Sequence, residues 1–165
     1  MRDVKFRGKS IDEWVYGMLC KVNEDDTEHG EPIKYKIQTD EKEYGEYVQC
    51  FITDENTIGQ YTGLKDIHGV KIYEGDIILT QPLKDKPFSR KARSKRLRGI
   101  VKYQVLCGQN FIGEPDEVKY WGAEWGIEII DKKDYEKYNN YGWGLFFECE
   151  VIGNIYDNPE LLGGK

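Results

Sequence analysis

Over the first 22 residues apolar positions alternate with the rest, Trp14, Tyr16, Met18, Cys20 and Val22 falling on one side and Val15, Gly17 and Leu19 on the other. A period of two marks a strand, because successive side chains leave a pleated backbone on opposite faces. VKFRGKSIDEWVYGMLCKV therefore predicts two strands forming a hairpin, with the turn at Gly8-Lys9-Ser10. IKYKI at 33–37 and EYVQCFIT at 46–53 predict two more, set off by a polar, acidic stretch from Asn23 to Glu31. From Asp54 the chain is dense in Thr, Gly and Asn, which predicts a structured loop of short bridges closing in the turn Asp66-Ile67-His68-Gly69.

Past that turn, VKIYEGDIILTQP predicts a strand interrupted at Glu74-Gly75-Asp76, and RGIVKYQVL at 98–106 predicts its partner, so that 70–81 and 99–106 should pair antiparallel. The connection between them, 82–98, is far longer than the 2–5 residues of an ordinary hairpin loop, and loops of that length tend to be functional or mobile. A further strand is expected near 124–130, then a short helix near 132–139 with Asp131 as its N-cap. GLFFECEVIGNIY predicts the last strand, and Asn158-Pro159 introduces a helical turn at the C-terminus, PELL. The expected fold is mainly β: one domain over 1–165, with antiparallel strands around a small barrel-like or sandwich core. Eighteen Gly and twelve Tyr against two Met agree with strands and tight turns better than with a helical bundle.

Charge adds a feature that periodicity does not show. The 165-residue chain has a net charge of −6, yet Lys84, Lys86, Arg90, Lys91, Arg93, Lys95, Arg96 and Arg98 crowd into 82–98 with only Asp85 to oppose them. That segment has a net charge of +7 and the remainder −13, an asymmetry that points to interaction rather than to fold. These eight residues are the candidate contact set, for a nucleic acid or for an acidic surface on another copy of the chain. With Phe88 and Leu97 as the only large apolar side chains of 84–98, the segment is expected to be mobile until a partner orders it.

The chemistry-bearing residues point away from catalysis. Cys20, Cys50, Cys107 and Cys149 stand far apart without a C-x-x-C pair, and are expected as buried free thiols. His29 and His68 have no ligand partners at metal-binding spacing, and both are expected in solvent. Asp66, Glu74 and Asp76 sit in turns, where carboxylates serve the backbone more often than they serve as acid, base or metal ligand. Trp121, Trp125, Tyr135, Tyr138, Tyr141 and Trp143 are dense enough to stack bases or sugars, though aromatic residues at this density more often edge a small β core. No nucleophile elbow, phosphate loop or dinucleotide fingerprint occurs. The expectation is a protein that is not an enzyme and takes no cofactor, metal or small-molecule substrate. The start MRDVKFRGKS has no apolar core of signal-peptide length and no run of about 18 apolar residues occurs, so a cytoplasmic chain with no membrane partner is expected.

FRGK at 6–9, the Trp-x-Tyr-Gly step at 14–17, TIGQYTGLKDIHGVKIYEGDII at 57–78, GIVKY at 99–103 and VIGNIYDNPELL at 151–162 together make the chain resemble the YopX family. These blocks run from one end of the chain to the other. The resemblance implies an all-β phage or prophage protein working in the host cytoplasm, from a family without an assigned activity or catalytic residues. The connection at 82–98 looks longer than the one the family usually has there. The reading that follows is a non-catalytic accessory binding protein that contacts nucleic acid through 82–98. The alternative is a self-assembling structural protein whose basic segment docks on an acidic sister surface, and an enzyme comes third.

Overall fold

A computed structural model describes residues 4–22, 27–28, 31–32, 34–42, 48–80, 83–84, 94–108, 119–130 and 148–163. The chain divides into two compact units, Met1–Gly63 and Leu64–Lys165. Strands dominate both, and the helices among the described residues are two single 3-10 turns, Glu55–Thr57 and Pro159–Leu161. None is long and apolar enough to cross a membrane. The mainly β, antiparallel expectation holds, and neither of the larger strand orders described below closes into a barrel. The helix expected near 132–139 lies outside the described residues.

The first unit is an antiparallel sheet built from β1 (Phe6–Ser10), β2 (Glu13–Lys21), β5 (Tyr35–Lys42), β6 (Val48–Ile52) and β7 (Gly59–Lys65), in the order β6-β5-β2-β1-β7. A separate two-residue ladder joins β3 (Thr27–Glu28) to β4 (Glu31–Pro32). The expected hairpin is present, but its turn comes later than the glycine suggests, at Ile11-Asp12, with Ser10 opposite Glu13. Gly8 is needed inside β1 for another reason. A Cβ there would stand 2.1 Å from Thr53 Cγ2 and 3.2 Å from Ile37 Cδ1, so the glycine admits the core rather than turning the chain. Val15 and Ile37 are buried on that inner face. Asp54 caps the first 3-10 turn by accepting from Asn56 N at 3.0 Å, and Thr57 Oγ1 accepts from Lys9 N at 2.8 Å.

The stretch expected to hold only loop and short bridges contains the seven-residue strand β7. Its Gly59 and Gln60 pair with Arg7 and Phe6, and a partner strand overrides the weak strand preference of glycine. β7 continues into the second unit, where β8 (Lys71–Tyr73) pairs with it. There Asp66 N donates to Val70 O at 2.9 Å and closes the expected turn.

The second unit holds an antiparallel sheet of β9 (Asp76–Leu79), β12 (Arg98–Gly108), β13 (Lys119–Ile129) and β14 (Glu150–Asn154), ordered β13-β12-β9-β14. The predicted pairing is realised by β9, with Leu79, Ile78 and Ile77 opposite Arg98, Gly99 and Ile100. The 71–73 half instead leaves to pair with β7, because the bend at Glu74-Gly75 breaks the strand. Gly75, at φ +80°, donates to Val101 O at 2.9 Å and accepts from Ile155 N at 3.0 Å, tying the bend to both sides of the sheet. β13 pairs along nearly all of β12, from Gly99 opposite Ile129 to Gly108 opposite Lys119. Ile72, Ile78, Val101 and Cys149 form the fully buried core, with Trp125, Ile127 and Val151 packed against it. In the final turn Asn158 precedes Pro159 as expected, but its side chain turns back to accept from Asn154 N at 3.2 Å rather than capping the helix.

Candidate functional site

The basic connection is anchored where it leaves the second sheet. Thr80 N donates to Leu97 O at 2.8 Å and Thr80 Oγ1 accepts from Leu97 N at 3.0 Å, with both residues fully buried. Above this pair, β10 (Leu83–Lys84) and β11 (Ser94–Lys95) make a two-residue antiparallel ladder, Leu83 opposite Lys95 and Lys84 opposite Ser94. Leu97, expected in a segment unable to bury itself, is 1% exposed, so the segment is rooted in the core at its C-terminal end.

The eight candidate cations do not share one role. Arg96 points back onto the fold, its Nε donating to Thr80 O at 2.8 Å and its terminal nitrogen lying 3.2 Å from Glu150 Oε2. Arg98, in β12, donates to Leu161 O at 3.0 Å and so ties the strand to the C-terminal turn. Both guanidiniums are structural anchors. Lys95 is exposed, and Lys84 stands in β10. Lys86, Arg90, Lys91 and Arg93, with Phe88, lie outside the described residues.

Two of the three carboxylates read as turn formers, Asp66 and Asp76, satisfy backbone donors. Asp66, buried, accepts from His68 N and Val70 N at 2.8 Å each with Oδ1, and from Val151 N at 3.1 Å with Oδ2. Burial alone would raise its pKa, but the amides of Val151, Val70 and His68 and the charge of His68 outweigh it and hold the carboxyl below its ordinary value. Asp76 is 1% exposed and accepts from Tyr73 N at 2.7 Å across the bend. His68 is largely in solvent, with Nε2 3.7 Å from Glu150 Oε1, while His29 lies outside the described residues.

Cysteine placement departs from expectation. Cys149 is buried, and burial followed by the nearby Asp66 charge pushes its thiol up, which makes it inert. Cys20 is only partly buried and Cys50 is exposed, because alternation puts both on the outer face of the first unit's sheet. In the aromatic group, Trp125 packs edge-on to Tyr103 at 5.0 Å beside the core, as an edge-of-core role requires. Tyr135, Tyr138, Tyr141 and Trp143 lie outside the described residues. No group of three His, Cys, Asp or Glu among the described residues could hold a metal ion.

A second cationic surface, unforeseen in the sequence, lies on that outer face. The register sets Arg7 opposite Tyr16 and Lys9 opposite Trp14, while Met18 faces Gln38 and Cys20 faces Lys36 on the next strand. The Arg7 guanidinium, buried at 6% exposure, lies 4.7 Å from the centre of the Trp14 ring and the Lys9 ammonium 5.6 Å from it, so the accessible cations of the face are Lys9 and Lys36. Tyr16 is 49% and Met18 59% exposed. The three cations come from two strands separated by about 30 residues and are scattered in the sequence. Only the strict alternation of 14–20 signalled the face.

A family model described as YopX protein matches residues 5–163. A search of curated proteins returned no match. Among solved structures, the crystal structure of protein EF1440 from Enterococcus faecalis is similar at 24% sequence identity and a TM-score of 0.41, over 97% of this chain and 98% of that one.

Proposed function

From the premise that the chain belongs to the YopX family, we propose that it is a non-catalytic phage or prophage accessory protein that binds nucleic acid in the host cytoplasm through its 82–98 segment. The observation that carries this reading is the concentration of eight cations against one carboxylate in a single connection of an otherwise acidic chain. Pinning by Thr80, Leu97, Arg96 and Arg98 supports it, since the two ends of the connection are held to the second sheet. Lys84, Lys86, Arg90, Lys91, Arg93 and Lys95 are then the contacts, and the two arginines hold the segment in position.

The test replaces Lys84, Lys86, Arg90, Lys91 and Arg93 together by Gln, leaving the anchors intact. Binding of the parent to duplex DNA should weaken with salt at a log–log slope of about −3 to −5, the yield of counterion release from that many phosphate contacts, and the variant should lose most of that slope. Equal binding by parent and variant would overturn the reading. The charge of −13 outside the segment favours one second reading, assembly with an acidic surface of another copy. In that case salt would dissociate the assembly and added nucleic acid would leave its mass unchanged.

A further inference from the structure

We propose that the outer face of the first unit's sheet is a platform for single-stranded nucleic acid, with Tyr16 as the stacking ring and Lys9 and Lys36 as the flanking cations. The proposal rests on the nucleic-acid reading above and assigns to it a second, separate contact surface and a strand preference. Three facts about β1, β2, β5 and β6 carry it. Alternation places Lys9, Trp14, Tyr16, Met18 and Lys36 on one face, opposite the inner face that buries Val15 and Ile37. Tyr16 is about half exposed and Met18 more than half in the middle of a strand, with Ile52 of β6 also exposed at 42%, beside Lys36. No described side chain at an outward position of β1, β2 or β6, or of β5 from Tyr35 to Thr39, is a carboxylate, although the chain has 30 acidic residues.

Exposed Tyr16, Met18 and Ile52 beside Lys9 and Lys36 suit a partner that rewards cations as well as rings. A single strand does both, because its phosphates meet the cations and its unpaired bases offer π-faces to Tyr16 and to the Met18 and Ile52 side chains. A duplex hides those base faces, and its major groove admits a helix or a two-stranded ribbon rather than the face of a broad sheet. Arg7, buried at 6% exposure, lies opposite Tyr16 in the register and against the Trp14 ring, so it supports the platform from beneath rather than meeting a phosphate.

The experiment compares parent, Tyr16→Ser, Tyr16→Phe, Lys36→Glu and the five-site Gln variant of 82–98. Each is titrated into a labelled oligodeoxythymidylate of about 15 nucleotides, near the upper end of single-strand footprints on small β modules, and into a duplex of equal length. The single strand should bind the parent more tightly than the duplex does. Tyr16→Ser should weaken single-strand binding roughly 5- to 100-fold, the range that loss of one stacked base allows, and Tyr16→Phe should restore it. Lys36→Glu should weaken it as well and flatten its salt dependence, which for two phosphate contacts on a single strand has a slope of about −1.4. Because Lys36→Glu removes no ring, it decides the matter if Tyr16→Ser melts below the parent. Single-strand affinity unchanged in both Tyr16→Ser and Lys36→Glu, but lost in the five-site variant, overturns this platform and leaves the 82–98 reading standing. A parent that binds neither probe overturns both. A change in assembly mass without a change in single-strand affinity overturns the platform in favour of an interface between copies.

Discussion

Ile11 holds φ at +58° while 95% exposed, a backbone conformation that a β-branched residue enters only with strain. It stands first in the two-residue connection between β1 and β2, a position that Gly fills without a Cβ clash. Nothing is lost by removing a side chain that touches almost nothing. Ile11→Gly should therefore raise the urea midpoint, by an amount worth about 0.5–1 kcal/mol after the entropy that glycine adds to the unfolded chain. A lower midpoint would show that the side chain contributes more than its exposure indicates. The same residue explains why the turn was misplaced in the sequence. Gly8 carries the stronger turn signal, but its missing Cβ serves the packing of Thr53 and Ile37.

The bend between β8 and β9 is where element boundaries and carboxylate roles meet. As the chain swings round Gly75, Tyr73 N donates to the buried Asp76 carboxylate at 2.7 Å. Glu74, one residue before the glycine, is only partly buried. Asp76→Ala should cost about 1–3 kcal/mol, the penalty for leaving a buried amide unsatisfied, and Glu74→Ala about 0.5 kcal/mol or less. Thermal melts of the two variants would check the ordering, and the reverse ordering would refute the role given to Asp76. The Glu74-Gly75-Asp76 interruption was legible from residue types alone. Which half pairs with which strand was not, because β8 and β9 have similar apolar content and only their neighbours, β7 and β12, differ.

For the whole molecule, Asp66 links the β7–β8 turn to β14 through Val151, so its protonation state bears on the stability of the second unit. Its folded pKa lies below the unfolded value of about 3.9, so the stabilisation is fully present above that pH and is lost as pH falls through the lower folded value. Urea unfolding of the parent should weaken steeply below about pH 4, and Asp66→Asn should be less stable at neutral pH with a flatter acid limb. Parallel curves for the two proteins would remove Asp66 from the account. Read alone, the sequence determined the strand class, the hairpin 4–22, the pairing of the 76–79 region with 98–100 and the concentration of charge at 82–98. These follow from period-two alternation, turn residues and charge, all of which are local along the chain. It left undecided the strand at 59–65, the long β12–β13 ladder, the anchoring of Leu97, Arg96 and Arg98, and the outer face that gathers Lys9, Tyr16 and Lys36. Those depend on strand register and on partners up to some 60 residues away. Only the folded chain can select among registers, because hydrogen-bond pairing and burial are shared between segments whose residues do not signal one another in sequence.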